Sequence, residues 1–404
     1  MNHLTTKFFH FLKNNWAIIL ITLAGLILRL WDLKFPKTVV FDETYYANEA
    51  HRYLLNQPGF DVHPSLGKIV IAISIKIFGF NSFGWRILPA LLGSAILPLT
   101  YILTQKIFKN KNVALITCLL ILLDGLFLVE ARTALLMNIL LFFTLIATIF
   151  AVDFMQKPVP IKLILASIFF GLAAGTMWLV APILAIVAVF VFKKKKLPIW
   201  LAISSVLIIV GIYLASFLFN RYAQGYETYW QYIVWWHKQT MCFHLNLKAT
   251  HPYASRWWSW LYLGRPVWFY FDFSPAKAKI YGIDAIGNPI IWWTALPIFL
   301  YSIYFSIKNK MQTFALPIVV FIGYYFTWCF ASRLEFQYYI FPVLPFYFMI
   351  LAYFLDKLYK QNQYIFWFYF LVVAACFILY LPVLIALPIS QNYFNHLLWF
   401  KSWV

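Results

Sequence analysis

Two adjacent carboxylates, Asp42 and Glu43, stand directly after the first apolar run of a chain that holds only 13 acidic residues among 404. In an ordinary loop such a pair is solvated charge or, with Thr44, a helix N-cap. Where acids are this scarce, a carboxylate at the mouth of a cavity between apolar helices suits general-base work on a hydroxyl or amine. Close behind comes Asp61-Val62-His63-Pro64-Ser65-Leu66-Gly67-Lys68, a turn that starts a helix. A lysine at a helix start can receive an anion, but the glycine spacing of a nucleotide-binding P-loop is absent.

Three further constellations carry polar chemistry. Glu130-Ala131-Arg132 has two readings. It is either an ion pair anchoring a helix end at the membrane edge, or a site where the planar guanidinium of Arg132 holds a phosphate. Asp124, shortly before it, is an intramembrane acid, which marks either function or a structural pairing with Arg132 or another polar group. The run from His251 to Trp268 mixes bases, hydroxyls and indoles. It reads equally as an interfacial aromatic belt and as a sugar or polyprenyl site with Arg256 or Arg265 on a phosphate. Arg333-Leu334-Glu335, followed by Tyr338 and Tyr339, either locks two helix ends or adds a cation near Asp42.

The elements that must position these groups are membrane helices. Hydrophobic residues make up 63% of the chain and charged residues 11%, against about 25% charged in soluble domains. Unbroken apolar runs exclude a β-barrel. Spans are expected at 16–34, 86–107, 113–129, 134–156, 162–177, 178–192, 199–219, 289–307, 313–331, 336–356 and 364–387, about 11 crossings at roughly 20 residues each. The stretch 162–192 reads as one long helix or, with basic residues at both ends, as two short ones turning near Trp178. The first span reads as retained, because no small-residue cleavage site follows it.

Lysine clusters orient the chain, since short Lys-rich loops stay in the cytoplasm. With the N-terminus inside, the clusters Lys7/Lys13, Lys106/Lys109/Lys111, Lys157/Lys162, Lys193 to Lys196, Lys308/Lys310 and Lys357/Lys360 all fall inside. The long loops 35–85 and 220–288 then lie outside, the first carrying two interfacial helices at 45–56 and 66–80. Domain organisation is one membrane domain over 1–404, with 289–404 as its C-terminal transmembrane part. The net charge of +19 is spread over these turns, so it marks topology and not a nucleic-acid surface. Four cysteines, three of them in apolar runs, give neither a disulfide framework nor zinc spacing, and no metal site is expected.

Together, Phe41-Asp42-Glu43, His63-Pro64-Ser65-Leu66-Gly67-Lys68, Glu130-Ala131-Arg132 and the run from His251 to Trp268 resemble the motifs of the protein O-mannosyltransferases. That is glycosyltransferase family 39 of the GT-C superfamily. Gly287-Asn288-Pro289 with Trp292-Trp293, and Tyr338-Tyr339 with Pro342 to Phe346, fit its bacterial members. The resemblance implies an all-α polytopic GT-C fold and an inverting transfer of mannose from polyprenyl-phosphate-mannose to Ser or Thr of secreted or membrane proteins. No cofactor is implied. By the same resemblance Asp42 is the catalytic base, Glu43 positions acceptor or sugar, and Arg132 binds the donor phosphate. His63, Lys68, His251, Arg256, Arg265, Arg333 and Tyr338 complete the substrate-binding set. The implied setting is the cell membrane, with an extracytoplasmic active site and the translocon as a further partner.

Two rivals stand beside this reading. A GT-C transferase that passes a sugar or aminosugar to a lipid or glycan would share the acid and arginine pattern. A transporter of lipid-linked substrates would instead show repeated halves and midplane polar sites. The chain also departs from the family pattern. Met137-Asn138 stands where an acid is frequent, Ser65 where a second proline is common, and loop 220–288 is too short for the β-trefoil-like domain of eukaryotic relatives.

Overall fold

The computed structural model describes residues 2–194, 197–218, 225–275, 278–331 and 333–404, with side chains from Asn14 onward. The basic positions Lys7, Lys13 and Lys194 to Lys196 lie outside the described side chains.

The N-terminal half begins with α1 (Asn2–Leu30), then α2 (Glu43–Leu54) and α3 (Leu66–Phe78) in the first long loop. The long α4 (Ser82–Phe108) follows, capped at its start by the Asn81 side chain accepting from the Gly84 N–H. After it come α5 (Lys111–Leu122), α6 (Gly125–Arg132), α7 (Leu136–Gln156), α8 (Pro160–Ala174), α9 (Ala181–Lys194) and α10 (Ile199–Ala215). Both interfacial helices expected in the first loop therefore exist as helices.

The second long loop holds α11 (Tyr229–Asn246), a two-stranded antiparallel hairpin of β1 (Trp268–Ser274) and β2 (Lys279–Asp284), and several short turns. Then come α12 (Pro289–Lys308), α13 (Ala315–Thr327), α14 (Leu344–Gln361), α15 (Gln363–Leu384) and the short α16 (Gln391–Leu397). The hairpin corrects the expectation of helices alone. Five of its six residues from Trp268 to Phe273 are aromatic and suit a pleated, half-buried surface as well as they suit a membrane belt.

Among the described residues, six helices are long and apolar enough to cross a membrane, or up to seven if a bent pair is one span. That pair is α5 and α6, bent by 65°. The break falls at Asp124, where the expected third span was continuous. Asn14–Leu30, Pro160–Ala174, Trp178–Lys193 and Ile199–Ala215 are shorter apolar helices. The region 162–192 is thus two helices, separated by a break at Gly175–Met177 and a 3-10 turn at Trp178–Val180.

Helices α4, α5, α7 and α14 form the centre of the bundle, with α1 against α4 and α8 between α7 and α10. One buried apolar cluster runs from Ile18 to Trp403 and joins both halves. Many buried polar groups inside it bond to main-chain or side-chain partners, as the Thr104 hydroxyl does to the Thr100 carbonyl, while others, both Glu130 carboxylate oxygens among them, have none among the described residues. Asn138 donates to the Pro89 carbonyl at 2.8 Å and so ties α7 to α4.

Candidate active site

The first wall of the site is the start of α2. Phe41 has φ 46, a left-handed backbone that a bulky residue adopts only when its surroundings enforce it. The enforcement is aromatic: the Phe41 ring stacks on Phe269 of β1 with centroids 4.5 Å apart, and meets Tyr338 edge-on at 5.7 Å. Asp42 follows at the N-cap position but makes no side-chain cap bond. Its half-buried carboxylate turns instead into a cavity of about 270 Å³ that Tyr46, His63, Trp178, His244, Arg333, Tyr338 and Tyr339 also line.

Glu43 has the opposite fate. Its fully buried carboxylate receives Arg86 Nε and Nη2 at 2.8 Å each, the Ala134 N–H at 2.9 Å, the Val40 N–H at 3.0 Å and Trp85 Nε1 at 3.3 Å. The remaining Arg86 donors reach the carbonyls of Leu33, Pro36 and Thr38. Glu43 does not line the cavity. It pins the chain on either side of Asp42 to α4 and to the turn before α7.

The second wall is the turn before α3. Lys68 is buried and donates to Asp61 Oδ1 and to the His63 carbonyl, at 2.7 Å each. The same Asp61 oxygen accepts the His63 N–H at 2.8 Å. With its charge matched by Asp61 and two of its three N–H donors occupied, Lys68 lies off the cavity wall. It stiffens the turn that carries the His63 ring into the cavity.

The far wall comes from α11 and from the link between α13 and α14. Arg333 is the one cation among the described lining residues, and its Nη1 lies 2.5 Å from His244 Nδ1. His244 was not singled out in the sequence. The signal available was a histidine one turn from the end of an aromatic outer helix.

Electrostatics follow from this enclosure. Burial and the nearby Asp61 charge push the Asp42 carboxyl up to about 7, against a hydrogen bond from Tyr338. Burial disfavours a charged Asp61 too, but Lys68 and His63 hold it below the usual carboxylate range. Burial, with Lys68, His244 and Arg333 adding to it, brings His63 down to about 4. Burial and Arg333 bring His244 down to about 4. At neutral pH both rings are therefore neutral, and the cavity holds one poised acid and one fixed cation. A base near the working pH combines availability with proton affinity.

The other expected site residues separate into two places. His251 and Arg256 line a second, more open cleft, which meets the first at Arg333. Arg265 lies elsewhere, its guanidinium 5.9 Å from the Tyr253 ring. Arg132 lines neither space. It is buried, its Nη1 donates to the carbonyls of Leu28, Arg29 and Trp31 at 2.9, 3.1 and 2.7 Å, and it does not line the cavity. It closes the C-terminal end of α1, whose orphan carbonyls a guanidinium satisfies well. Asp124 resolves to a structural role as well. It accepts from Phe127 N–H at 3.2 Å, Asn288 N–H at 2.9 Å and Trp292 Nε1 at 2.7 Å. Among the described residues no group of three or more His, Cys, Asp or Glu could hold a metal ion.

The model of the dolichyl-phosphate-mannose-protein mannosyltransferases matches residues 19–83 and 77–224, and that of the C-terminal four-span region of protein O-mannosyltransferases matches 229–403. A polyprenol-phosphate-mannose–protein mannosyltransferase of Mycobacterium tuberculosis is 28% identical over 96% of this chain and 92% of its own length. The yeast protein O-mannosyltransferase Pmt1-Pmt2 complex, solved with its sugar donor, superposes with TM-score 0.84 at 12% identity, covering 97% of this chain and 93% of that one. ArnT of Cupriavidus metallidurans, at 16% identity, has TM-score 0.65 over 92% of this chain and 65% of its own. These neighbours place the fold among the GT-C membrane glycosyltransferases.

Proposed function

The chain belongs to the dolichyl-phosphate-mannose-protein mannosyltransferase family, and from that premise we propose how its cavity moves mannose from a polyprenyl-phosphate donor to a Ser or Thr hydroxyl. The observation that carries the reading is the presence of Asp42 and Arg333 on the walls of one cavity.

Asp42 accepts the proton of the attacking hydroxyl. The hydroxyl oxygen bonds to the anomeric carbon as the bond from that carbon to the phosphate oxygen breaks, and the electron pair leaves with the phosphate. Attack opposite the leaving group inverts the configuration. Arg333 faces the charge that grows on the phosphate, held in place by neutral His244. A fixed cation of this kind is worth about 3 to 4 kcal/mol of barrier. Tyr338 orients the Asp42 carboxylate through its hydroxyl. Glu43 serves as a positioning residue, because the Arg86 clasp fixes the segment from which Asp42 projects. His63 contributes a neutral ring beside Tyr46.

The same proposal covers the setting. The whole chain acts as one membrane domain in the cell membrane, with its N-terminus in the cytoplasm and the cavity on the extracytoplasmic side, within reach of chains leaving the translocon. The lysine pattern supports this orientation.

The test is mass spectrometry of extracytoplasmic proteins from cells with and without this chain. Loss of a hexose from Ser or Thr is expected. A change confined to lipid-linked sugars would assign the acceptor to a lipid or glycan instead.

A further inference from the structure

On the other side of Arg333 lies the second cleft, about 410 Å³, lined among others by Thr250, His251, Ser255, Arg256 and Glu335. The transfer chemistry above uses none of these five. Two bonds join its walls: the Ser255 N–H donates to the Glu335 carbonyl at 2.9 Å, and the Trp257 N–H donates to Glu335 Oε2 at 2.9 Å. The cleft is therefore built to a fixed width. Three polar atoms of the lining residues are left over. Glu335 Oε1, Ser255 Oγ and Arg333 Nε are buried without a hydrogen-bond partner among the described residues, and Glu335 is only 2% exposed.

Buried polar atoms are paired in almost every case, and an unpaired one costs about 1 to 3 kcal/mol. Three gathered around one cleft call for a ligand that pairs them. Glu335 Oε1 needs a donor, Arg333 Nε needs an acceptor, and the Ser255 hydroxyl takes either. A phosphate offers acceptors alone and would meet the Glu335 carboxylate. An extended polypeptide offers one N–H and one C=O at every residue, which matches the mixed demand.

We infer that this cleft binds the main chain of the acceptor polypeptide, with Glu335 accepting an amide N–H and Arg333 and Ser255 donating to carbonyls. A Ser or Thr beside the bound segment then enters the Asp42 cavity past Arg333, whose five N–H groups allow it to serve both spaces. The inference rests on the proposed transfer to protein hydroxyls.

The experiment uses the purified full chain, polyprenyl-phosphate-mannose and a Thr-containing peptide with a photoreactive benzophenone side chain two residues from the Thr. Adducts are expected within 249–256 or 333–335, and adducts confined to other segments overturn the inference. In a second arm, the amides flanking the Thr are N-methylated, which removes their donors. A rise of about tenfold in peptide KM at unchanged donor KM is expected, and an unchanged peptide KM overturns the cleft assignment without altering any residue of the enzyme. Transfer to the unmodified peptide is read in the same assay. Its absence, with sugar passing to lipid instead, would remove the proposed function, while the crosslink map still decides whether the cleft binds peptide.

Discussion

Arg86 grips Glu43 along one edge, with Nε and Nη2 each 2.8 Å from a different carboxylate oxygen, while the adjacent Asp42 faces open space. One acid is spent on architecture so that its neighbour can be held at the end of a helix without capping it. Removing one partner of a buried ion pair strands the other, at a cost of about 3 to 5 kcal/mol. Arg86→Ala and Glu43→Ala are therefore expected to lower the thermal unfolding temperature in detergent sharply. Wild-type unfolding with lost turnover in Glu43→Ala would place Glu43 on the substrate instead.

Asp42→Asn keeps the side-chain shape and removes the base. Turnover is expected to fall by roughly 10² to 10⁴, the range for one general base, with donor affinity and folding retained. Turnover near wild type in a purified assay would take Asp42 out of the mechanism.

The raised Asp42 carboxyl sets a pH profile. With its transition at about 7, kcat/KM is expected to rise about tenfold per pH unit below that point and level off above it. The same shift opposes folding at high pH. A carboxyl raised in the folded state contributes stability fully below its unfolded value of about 4, and that contribution is lost as pH rises to about 7. Asp42→Asn should therefore gain unfolding temperature over the parent at pH 8 and little at pH 4. A constant difference across that window would mean that Asp42 is not buried against its charge.

Arg333 and Arg132 are distinguished by kinetics. Arg333→Ala is expected to reduce donor kcat/KM by about 10² to 10³, as removal of one preorganised contact does. Arg132→Ala should instead loosen the end of α1, lowering the unfolding temperature while donor KM stays near wild type. The reverse pattern would return the phosphate to Arg132.

Orientation is checked with native cysteines. Cys242 in α11 and Cys329 are exposed, whereas Cys118 and Cys376 are buried, so Cys329 is first replaced by alanine. A membrane-impermeant maleimide added to intact cells is expected to label Cys242. Labelling only after the membrane is opened would invert the topology.

The family was legible in the ordered motifs, because scarce charges in an apolar chain have few bland explanations. The assignment of Arg132 was not legible. Its partners are main-chain carbonyls of Leu28, Arg29 and Trp31, and carbonyls leave no mark in a sequence. The pairing of Lys68 was hidden for a related reason: Asp61, which neutralises it, sits in the same quoted motif, but spacing alone does not show that the two side chains meet. The hairpin at Trp268 to Asp284 was hidden by its aromatic composition, which a membrane interface shares. His244 and Arg86 were hidden because each gains meaning only from a partner far along the chain, Arg333 and Glu43.

The bend between α5 and α6 lets Asp124 reach across to Asn288 and Trp292, so a single carboxylate is a clasp between early and late portions of the polypeptide. Neither portion could shed the other without exposing an acid to hydrocarbon. Synthesis must therefore run into α12, which carries Trp292, and on to α14, which packs on α5, before the early helices are fully partnered.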